Sequence, residues 1–446
     1  NTNTGSIAVK RNSSLLKRLD YTLWSSPVAG QNLLNFSPQT IANRFYTYNS
    51  STNFYESVAS PSTTTFETAK GYLIRVPNNH PSITPTSWAG QFNGVPNNGN
   101  YSLAMQDDVA GQRFNLVGNP YPSPIDALAF IENANNSSSI TGTLYFWRKT
   151  NGSANPSYCT WTAGGFVTNN DAQTFDPNDV IQTGQAFFVE ATGTNDQLLF
   201  TNDMRVGNNA NQFFRNGQTT TSVERNRIWL NASNATGAFS QTMIGYMTNA
   251  SNGLDAQIDG KYINDGDIAL TSLLDATPMA IQGRALPFDV ADLVPMRFKA
   301  TTAGTYNIAI DHTDGLFANG QTVFLRDNVT GVTHNLSDGA YTFAAEAGTF
   351  DSRFEVVYQS TLGTDTPVLT PNQVVVYTSD FATITVNSGN VLMSAIKVFD
   401  VRGRLLTESN NINATQTTLL VNAANEVLLL QITAVSGETI TKKFVK

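Results

Sequence analysis

The chain has 446 residues, enough for several domains that each bury a hydrophobic core. It carries 34 Asp and Glu against 26 Lys and Arg, and this net charge of −8 excludes the broad basic surface of a nucleic-acid-binding protein. A single cysteine excludes an intrachain disulfide and a multi-cysteine zinc site, and no apolar run of about 18 residues predicts a transmembrane helix.

The composition favours a mainly β protein. Charged residues make up only 13% of the chain, whereas Asn occurs 48 times, so the polar surface is expected to consist largely of neutral side chains. Asn, Gly and Pro are typical of turns between strands. We predict tandem β-sandwich domains, with one short helix in the first domain and a small, Ig-like, seven-stranded domain at the C-terminus.

The first predicted domain covers residues 1–215. Short β-rich runs bounded by Gly, Pro or Asn occur at 71–76, 144–147 and 185–189. A helix is predicted near 124–133, with Ser123 as N-cap and Pro124 at the first helical position. The chain begins at Asn1 without Met or a signal peptide, so we expect a processed chain or part of a longer one.

The second predicted domain is a β-sandwich over residues 216–360. Its predicted strands include 228–231, 241–246, 304–310 and 353–358. Segments 323–326 and 332–336 are predicted to pair as a hairpin across the turn-rich loop 327–331. Residues 268–274 fit either a helix or a strand.

A linker is predicted at 361–371, because this segment contains two prolines and has no sustained apolar pattern. The third domain, residues 372–446, then has predicted strands at 373–377, 382–386, 393–400, 427–432 and from 439 to the C-terminus.

Three segments of this last domain carry a family resemblance. They are Ile396 to Leu406 (IKVFDVRGRLL), Asn425 to Ile432 (NEVLLLQI) and Lys442 to Lys446 (KKFVK). Their order, spacing and terminal position resemble the C-terminal sorting domains of cargo exported by the type IX secretion system of Bacteroidetes. Asn425-Glu426-Val427 stands where many members have a Gly-x-Tyr pattern, and this looks like the flavobacterial type C variant.

The resemblance implies that the outer-membrane translocon and its accessory subunits recognise the domain. The residues it assigns to the sorting motif are Lys397, Val398, Phe399, Asp400, Gly403, Arg404, Lys442, Lys443, Phe444, Val445 and Lys446. Segments 114–126 and 184–189 resemble parts of large flavobacterial surface proteins. The implied protein is therefore a non-catalytic cargo at the cell surface or outside the cell, with structural or adhesive upstream modules. Another surface adhesin or a polysaccharide is a further implied partner, and some cargo of this kind takes part in gliding motility.

The residues themselves suggest how such a signal is recognised. A folded sorting domain has to be recognised by its shape and strand edges, and a terminal strand with two lysines offers such a surface. The alternative is that Lys442 and Lys443 are solvated edge residues that discourage sheet-to-sheet association.

One loop is a candidate calcium site. Asp259, Asp265 and Asp267 fall in a nine-residue segment with two glycines, and calcium prefers oxygen ligands at flexible spacing. The segment lacks the EF-hand pattern and a closing bidentate Glu, and an ordinary Asx-rich turn is the favoured alternative. No other cofactor is predicted.

A carbohydrate-binding or carbohydrate-active protein, with its site in the first domain, is the alternative function. Five Trp and 15 Tyr could supply stacking faces, although buried aromatic residues in β cores explain the same numbers. Asp107-Asp108 is the acidic pair closest to aromatic strands. His80, His312 and His334 match no metal or catalytic spacing, and no nucleophile elbow, phosphate loop or dinucleotide fingerprint occurs. Cys159 is predicted to be buried and inert.

Overall fold

The computed structural model describes residues 3–106, 113–148, 157–171, 174–193, 197–207, 223–359, 369–378, 382–423 and 426–446. The predicted boundary at 215/216, most of the predicted linker and the Asp107-Asp108 pair lie outside these residues. The described residues are mainly strand, which confirms the predicted fold class. No helix among them is long and apolar enough to cross a membrane.

The N-terminal half begins with sixteen strands, joined by short helices. In chain order the elements are β1 (Ile7–Leu16), β2 (Tyr21–Trp24), β3 (Val28–Ala29), α1 (Leu33–Phe36), a 3-10 helix (Ala42–Arg44), β4 (Phe45–Asn49), β5 (Phe54–Ser57), β6 (Tyr72–Arg75), β7 (Thr86–Pro96), β8 (Tyr101–Ala104), β9 (Phe114–Gly118), β10 (Ile125–Asp126), α2 (Ala127–Glu132), α3 (Asn136–Ser139), β11 (Ile140–Trp147), β12 (Tyr158–Thr162), β13 (Gly165–Val167), β14 (Val180–Ile181), β15 (Ala186–Ala191), β16 (Gln197–Phe200) and a 3-10 helix (Asn202–Met204).

The next eleven strands cover the predicted second domain. They are β17 (Arg225–Asn234), β18 (Phe239–Met247), β19 (Gly260–Lys261), β20 (Ile268–Leu274), β21 (Thr277–Arg284), β22 (Leu293–Ala300), β23 (Gly304–Thr313), α4 (Gly315–Ala318), β24 (Phe324–Asp327), β25 (Val332–Asn335), a 3-10 helix (Leu336–Asp338), β26 (Tyr341–Ala345) and β27 (Gly348–Val357).

The last seven strands form the C-terminal domain. They are β28 (Val375–Thr378), β29 (Thr383–Asn387), β30 (Met393–Asp400), β31 (Leu405–Ala414), β32 (Gln416–Leu420), β33 (Val427–Ala434) and β34 (Thr439–Val445).

The structure divides into two compact units that are not contiguous in sequence. Unit 1 comprises Asn1–Arg225, Met243–Asp265 and Met279–Leu286, and unit 2 comprises the remaining segments up to Lys446. Besides its first residues up to Arg225, two internal segments of the predicted second domain therefore belong to unit 1, Met243–Asp265 and Met279–Leu286. Hydrogen bonds explain this, because the Thr143 and Thr162 hydroxyls donate to the carbonyls of Asp259 and Ile258.

Unit 1 is built from antiparallel sheets around one large core. The main sheets have the strand orders β13-β12-β11-β15-β9, β2-β6-β4-β5 and β1-β7-β3. Their inward side chains include the fully buried rings of Trp24, Phe92 and Phe187, together with Phe130 of α2. A short parallel ladder between β18 and β21, residues 243–246 with 281–284, completes the unit.

Unit 2 contains two antiparallel assemblies. In the first, β22 pairs with β20 and β27, β24 pairs with β25 and β27, and β23 pairs with β17 and β26. The second is a two-sheet sandwich, with orders β28-β29-β32 and β31-β30-β33-β34. The apolar side chains between these two sheets are buried, as Val386, Val398 and Leu430 illustrate.

Several predictions about single elements can now be settled. The hairpin across 327–331 is confirmed by the pairing of β24 with β25, and residues 268–274 form a strand. The predicted start of the first helix is wrong, because Ile125 and Asp126 pair with β14 and the helix begins at Ala127. Asp126, not Ser123, is the N-cap, and its carboxylate accepts the Ala129 N–H at 2.9 Å.

Candidate functional site

The four-stranded C-terminal sheet has one face that does not pack on the other sheet of the sandwich. Direct cross-strand partners form a row on this face that runs over all four strands. The row consists of Leu405, Phe399, Leu429 and Lys443, and the adjacent cross-strand pair is Val427 with Val445. We refer to these six residues together as the outer sheet face.

Strand periodicity separates this face from the core. Successive side chains of a strand point to opposite faces, so Val398, Leu428 and Leu430 are buried while their neighbours in sequence point outward. Leu405 is 46% exposed and Val445 is 67% exposed. The outer sheet face therefore presents apolar side chains to solvent, beside a cation at Lys443.

A tight turn joins β30 to β31 at one end of this face, and the Asp400 side chain organises it. Its Oδ1 accepts the main-chain N–H groups of Arg402 and Arg404 at 2.9 and 3.0 Å, and its Oδ2 accepts the Arg404 guanidinium at 3.0 Å. These hydrogen bonds, with that of the Arg404 N–H foremost, lower the pKa of Asp400. Gly403 has φ +81°, a conformation that favours glycine. The Asp400–Arg404 segment is therefore a rigid turn that holds Arg402 and Arg404 in solvent.

The terminal strand β34 lies at the edge of the sheet, and its lysines face different ways. Lys442 and Phe444 point toward the core, and Lys442 Nζ donates to the Pro371 carbonyl at 3.1 Å. Lys443 is exposed on the outer sheet face. Lys446 Nζ donates to the Val421 carbonyl. Two of the three terminal lysines are thus tethered to main-chain carbonyls, and Lys443 is the one on the outer face.

The eleven residues of the predicted sorting motif have distinct positions in this domain. Four of them share the outer side of the sheet: Lys397, Phe399, Lys443 and Val445. The Lys397 Nζ atom lies 4.0 Å from the Glu408 carboxylate. Asp400, Gly403 and Arg404 lie in the turn, whereas Val398, Lys442 and Phe444 point toward the core. Lys446 follows β34. Leu405, Leu429 and Val427 also lie on this face but were not among the predicted residues. The signal that could have found them is alternation, because every second residue of an outer-sheet strand has to face away from the core.

The three carboxylates of the predicted calcium loop lie in different environments. In the ranges that the structure describes, no three His, Cys, Asp or Glu side chains are arranged to hold a metal ion. Asp259 is buried, and its two oxygens accept the N–H groups of Asp255 and Gly283 at 2.7 and 2.6 Å, whereas Asp265 and Asp267 are exposed. The alternative of an Asx-rich turn therefore accounts for this loop, because main-chain donors occupy the Asp259 carboxylate.

Burial has a clear effect on two groups of unit 1. It raises the pKa of Asp259 to about 6, although the two main-chain N–H donors oppose the shift. Cys159 is fully buried, which confirms the sequence prediction, and burial raises the pKa of its thiol to about 12. Such a thiol is unreactive at neutral pH.

The tryptophans are mostly core residues. Trp24, Trp161 and Trp229 are at most 5% exposed, whereas Trp88 and Trp147 are partly exposed. His80 is also buried, and its Nε2 donates to the carbonyls of two residues at 2.9 and 3.0 Å.

Comparison with known families divides the chain into two matched parts. Residues 1–358 match a family model described as a domain of unknown function, DUF8693, and residues 362–446 match a second one, DUF8694. A search of curated proteins finds no match for the chain.

Proposed function

Because the chain belongs to the family described as domain of unknown function DUF8693, a description that names no activity, we propose its function from its own residues. The protein is a non-catalytic cargo of the type IX secretion system, exported across the outer membrane by its C-terminal domain. Its upstream modules serve a structural or adhesive role at the cell surface.

The outer sheet face is the observation that carries this proposal. Three residues of the predicted sorting motif lie on this face, next to the rigid Asp400–Arg404 turn: Phe399, Lys443 and Val445. Apolar side chains exposed next to Lys443 and Arg404 are the kind of surface that binds another protein, since burying them on binding is favourable.

The recognition of a folded signal follows from the same geometry. Strands β30, β31, β33 and β34 hold the face at fixed spacing, so a translocon subunit can recognise it without unfolding the domain. The Lys442 tether and the core packing of Phe444 keep β34 in register with β33. The edge position of β34 also supports the alternative role of Lys442, which is to discourage sheet-to-sheet association. An inward-pointing lysine on an edge strand hinders pairing with another sheet.

Export in a flavobacterial host tests the proposal. The full chain, fused to a Sec signal peptide, is expressed in cells with a functional type IX translocon and in cells without one, and the medium, surface and periplasm are assayed. We expect export in the first strain only. Deletion of residues 439–446 should leave the chain in the periplasm of both strains, and export of the deletion variant would contradict the proposal.

A point variant separates recognition from folding. Lys443→Glu inverts a charge on the outer sheet face and leaves the core untouched, since this side chain is exposed. We expect it to reduce export with no change in thermal unfolding. The control is Lys299→Glu, an exposed lysine of β22 in the preceding module. Equal export of both variants would argue against recognition through this face.

A further inference from the structure

A cleft in unit 1 lies along an open strand edge. On the side away from β1, the pairing of strand β7 within the described part of the chain is limited to Val95 and Pro96, which pair with β3. Beside the rest of that edge is a cavity of about 510 Å³, within the range of small-ligand sites. Its walls come from β7, from α1 with the residues after it, and from the segment 77–81.

The cleft contains a fixed aromatic ring. Trp88 is partly exposed, and its ring makes edge contacts with two buried rings, Trp24 at 5.7 Å and Phe36 at 5.2 Å between centroids. A ring held in this way loses little conformational freedom when a ligand stacks on it. Trp88 therefore serves as a preorganised stacking surface.

The other polar lining groups are mainly amides. Gln91 Nε2 donates to Asn93 Oδ1 at 2.8 Å, whereas the side-chain amides of Asn35, Gln39 and Asn79 make no hydrogen bond within the described residues. Each amide offers both a donor and an acceptor, which matches the hydroxyl groups of a sugar. The lining contains no Asp, Glu, Lys or Arg.

The walls of the cleft are rigid. Pro38, Pro77 and Pro81 line it, and proline fixes its own backbone φ. The His80 imidazole donates from Nε2 to the Leu16 and Thr86 carbonyls, which ties segment 77–81 to the start of β7.

From these features we propose that the cleft binds a neutral saccharide, which stacks a sugar ring on Trp88 and bonds its hydroxyl groups to the free amides. The cleft has no member of the carboxylate pair that glycoside hydrolysis uses, so the proposal is for binding alone. It does not depend on the export route, because all of its residues lie in unit 1.

An added peptide strand fits this edge less well. Such a strand needs consecutive main-chain partners along β7. The Gln31 side chain already accepts the Asn93 N–H at 2.6 Å, which shortens the open edge. The combination of an aromatic ring and neutral amides therefore favours the saccharide.

Binding to defined oligosaccharides tests this site in the full chain. The probes are neutral tetra- to hexasaccharides of glucose, mannose, galactose and xylose, measured by isothermal titration and by tryptophan fluorescence, with oligogalacturonate as an anionic comparison. We expect at least one neutral probe to bind, with an affinity that 0.5 M NaCl leaves unchanged. Failure of every neutral probe, or binding of only the anionic one, would overturn the proposal.

Variants then locate the binding. Trp88→Ala should abolish it, but this ring also packs on the core, so its fold is checked by circular dichroism. Gln39→Ala and Asn79→Ala remove exposed amides and should each weaken binding by roughly three- to tenfold, the loss of one neutral hydrogen bond. Asn43→Ala, an exposed amide of unit 1 that does not line the cleft, should leave the affinity unchanged. Unaltered affinity in both amide variants, or a weaker affinity in Asn43→Ala, would place the site elsewhere and refute the assignment.

Discussion

The Asp259 carboxylate is buried, and its two oxygens accept the main-chain N–H groups of Asp255 and Gly283. Because the fold raises its pKa from an ordinary 3.8 to about 6, the folded chain binds this proton more tightly than the unfolded chain does. The contribution of Asp259 to stability is therefore greatest below about pH 4 and is lost as the pH rises to about 6. The loss is at most roughly 3 kcal/mol, since one pKa unit corresponds to about 1.4 kcal/mol.

Urea unfolding at pH 4, 5, 6 and 7 measures this effect. Asp259→Asn cannot titrate, so its unfolding free energy should lack the decline between pH 4 and 6 that the unsubstituted chain shows. Its absolute stability should be lower, because one amide oxygen cannot replace two carboxylate oxygens as acceptors for Asp255 and Gly283. The same pH profile in both proteins would show that Asp259 does not titrate in this range.

A second buried carboxylate, Asp327, forms an ion pair with Arg353. Its oxygens accept the Arg353 guanidinium at 2.9 Å and the Tyr341 hydroxyl at 3.0 Å. The guanidinium also lies 4.8 Å from the ring centroids of Phe343 and Phe354. The ion pair is thus completely enclosed by polar and aromatic partners.

Arg353→Met should destabilise the chain by about 3–5 kcal/mol, because it leaves the Asp327 charge buried without its partner. Arg297→Met is the matched control, since Arg297 pairs with Asp351 at an exposed position and its loss should cost about 1 kcal/mol or less. The stability of both variants is measured by thermal unfolding. Similar losses of stability in the two variants would contradict the conclusion that burial makes the Asp327–Arg353 pair the more important one.

At the scale of elements, the turn between β30 and β31 depends on backbone geometry. Gly403 has φ +81°, and no atom lies within 4 Å of where a Cβ would be, so only backbone strain opposes a side chain there. Gly403→Ala should cost about 1 kcal/mol, and Gly403→Asn should cost less, because Asn tolerates this conformation better. Denaturant unfolding compares the two, and equal stability of Gly403→Ala and the unsubstituted chain would contradict the strain.

Sequence patterns predicted strands where an apolar run is short and bounded by turn residues. They failed where pairing decides the structure. Ile125 and Asp126 read as helical next to Pro124, but their pairing with β14 delays the helix to Ala127. Strand β31 was not predicted because half of it is polar, and its pairing with β30 holds it in place.

The two candidate sites differ in how far the sequence could predict them. The residues of the proposed sorting motif lie in short contiguous segments, so they could be named from the sequence, whereas Leu405, Leu429 and Val427 required the strand pairing. The cleft at Trp88 brings together residues from three separate segments, and only the fold places Gln39, Asn79 and Gln91 beside one ring. The surroundings of Asp259 were hidden for a related reason, because a run of carboxylates in the sequence does not reveal that main-chain N–H groups already bind one of them.

At the scale of the whole molecule, charge is unevenly distributed along the chain. Residues 372–446 carry six Lys and Arg against five Asp and Glu, although the whole chain has a net charge of −8. Four of these cations lie on the outer side of the four-stranded sheet or in its turn: Lys397, Arg402, Arg404 and Lys443. The C-terminal domain thus differs electrostatically from the modules before it, which suits a surface recognised by a separate partner.

The most direct test of the proposed export function uses two leucines of the same β-sandwich. Leu405 lies on the outer sheet face and is 46% exposed, whereas Leu420 lies on β32 of the opposite sheet and is 62% exposed. Leu405→Asp and Leu420→Asp introduce the same charge at exposed positions, so both variants should fold. With export of the full chain measured in a host with an active type IX translocon, we expect Leu405→Asp to accumulate in the periplasm and Leu420→Asp to reach the cell surface. Equal export of the two variants would contradict recognition through the outer sheet face.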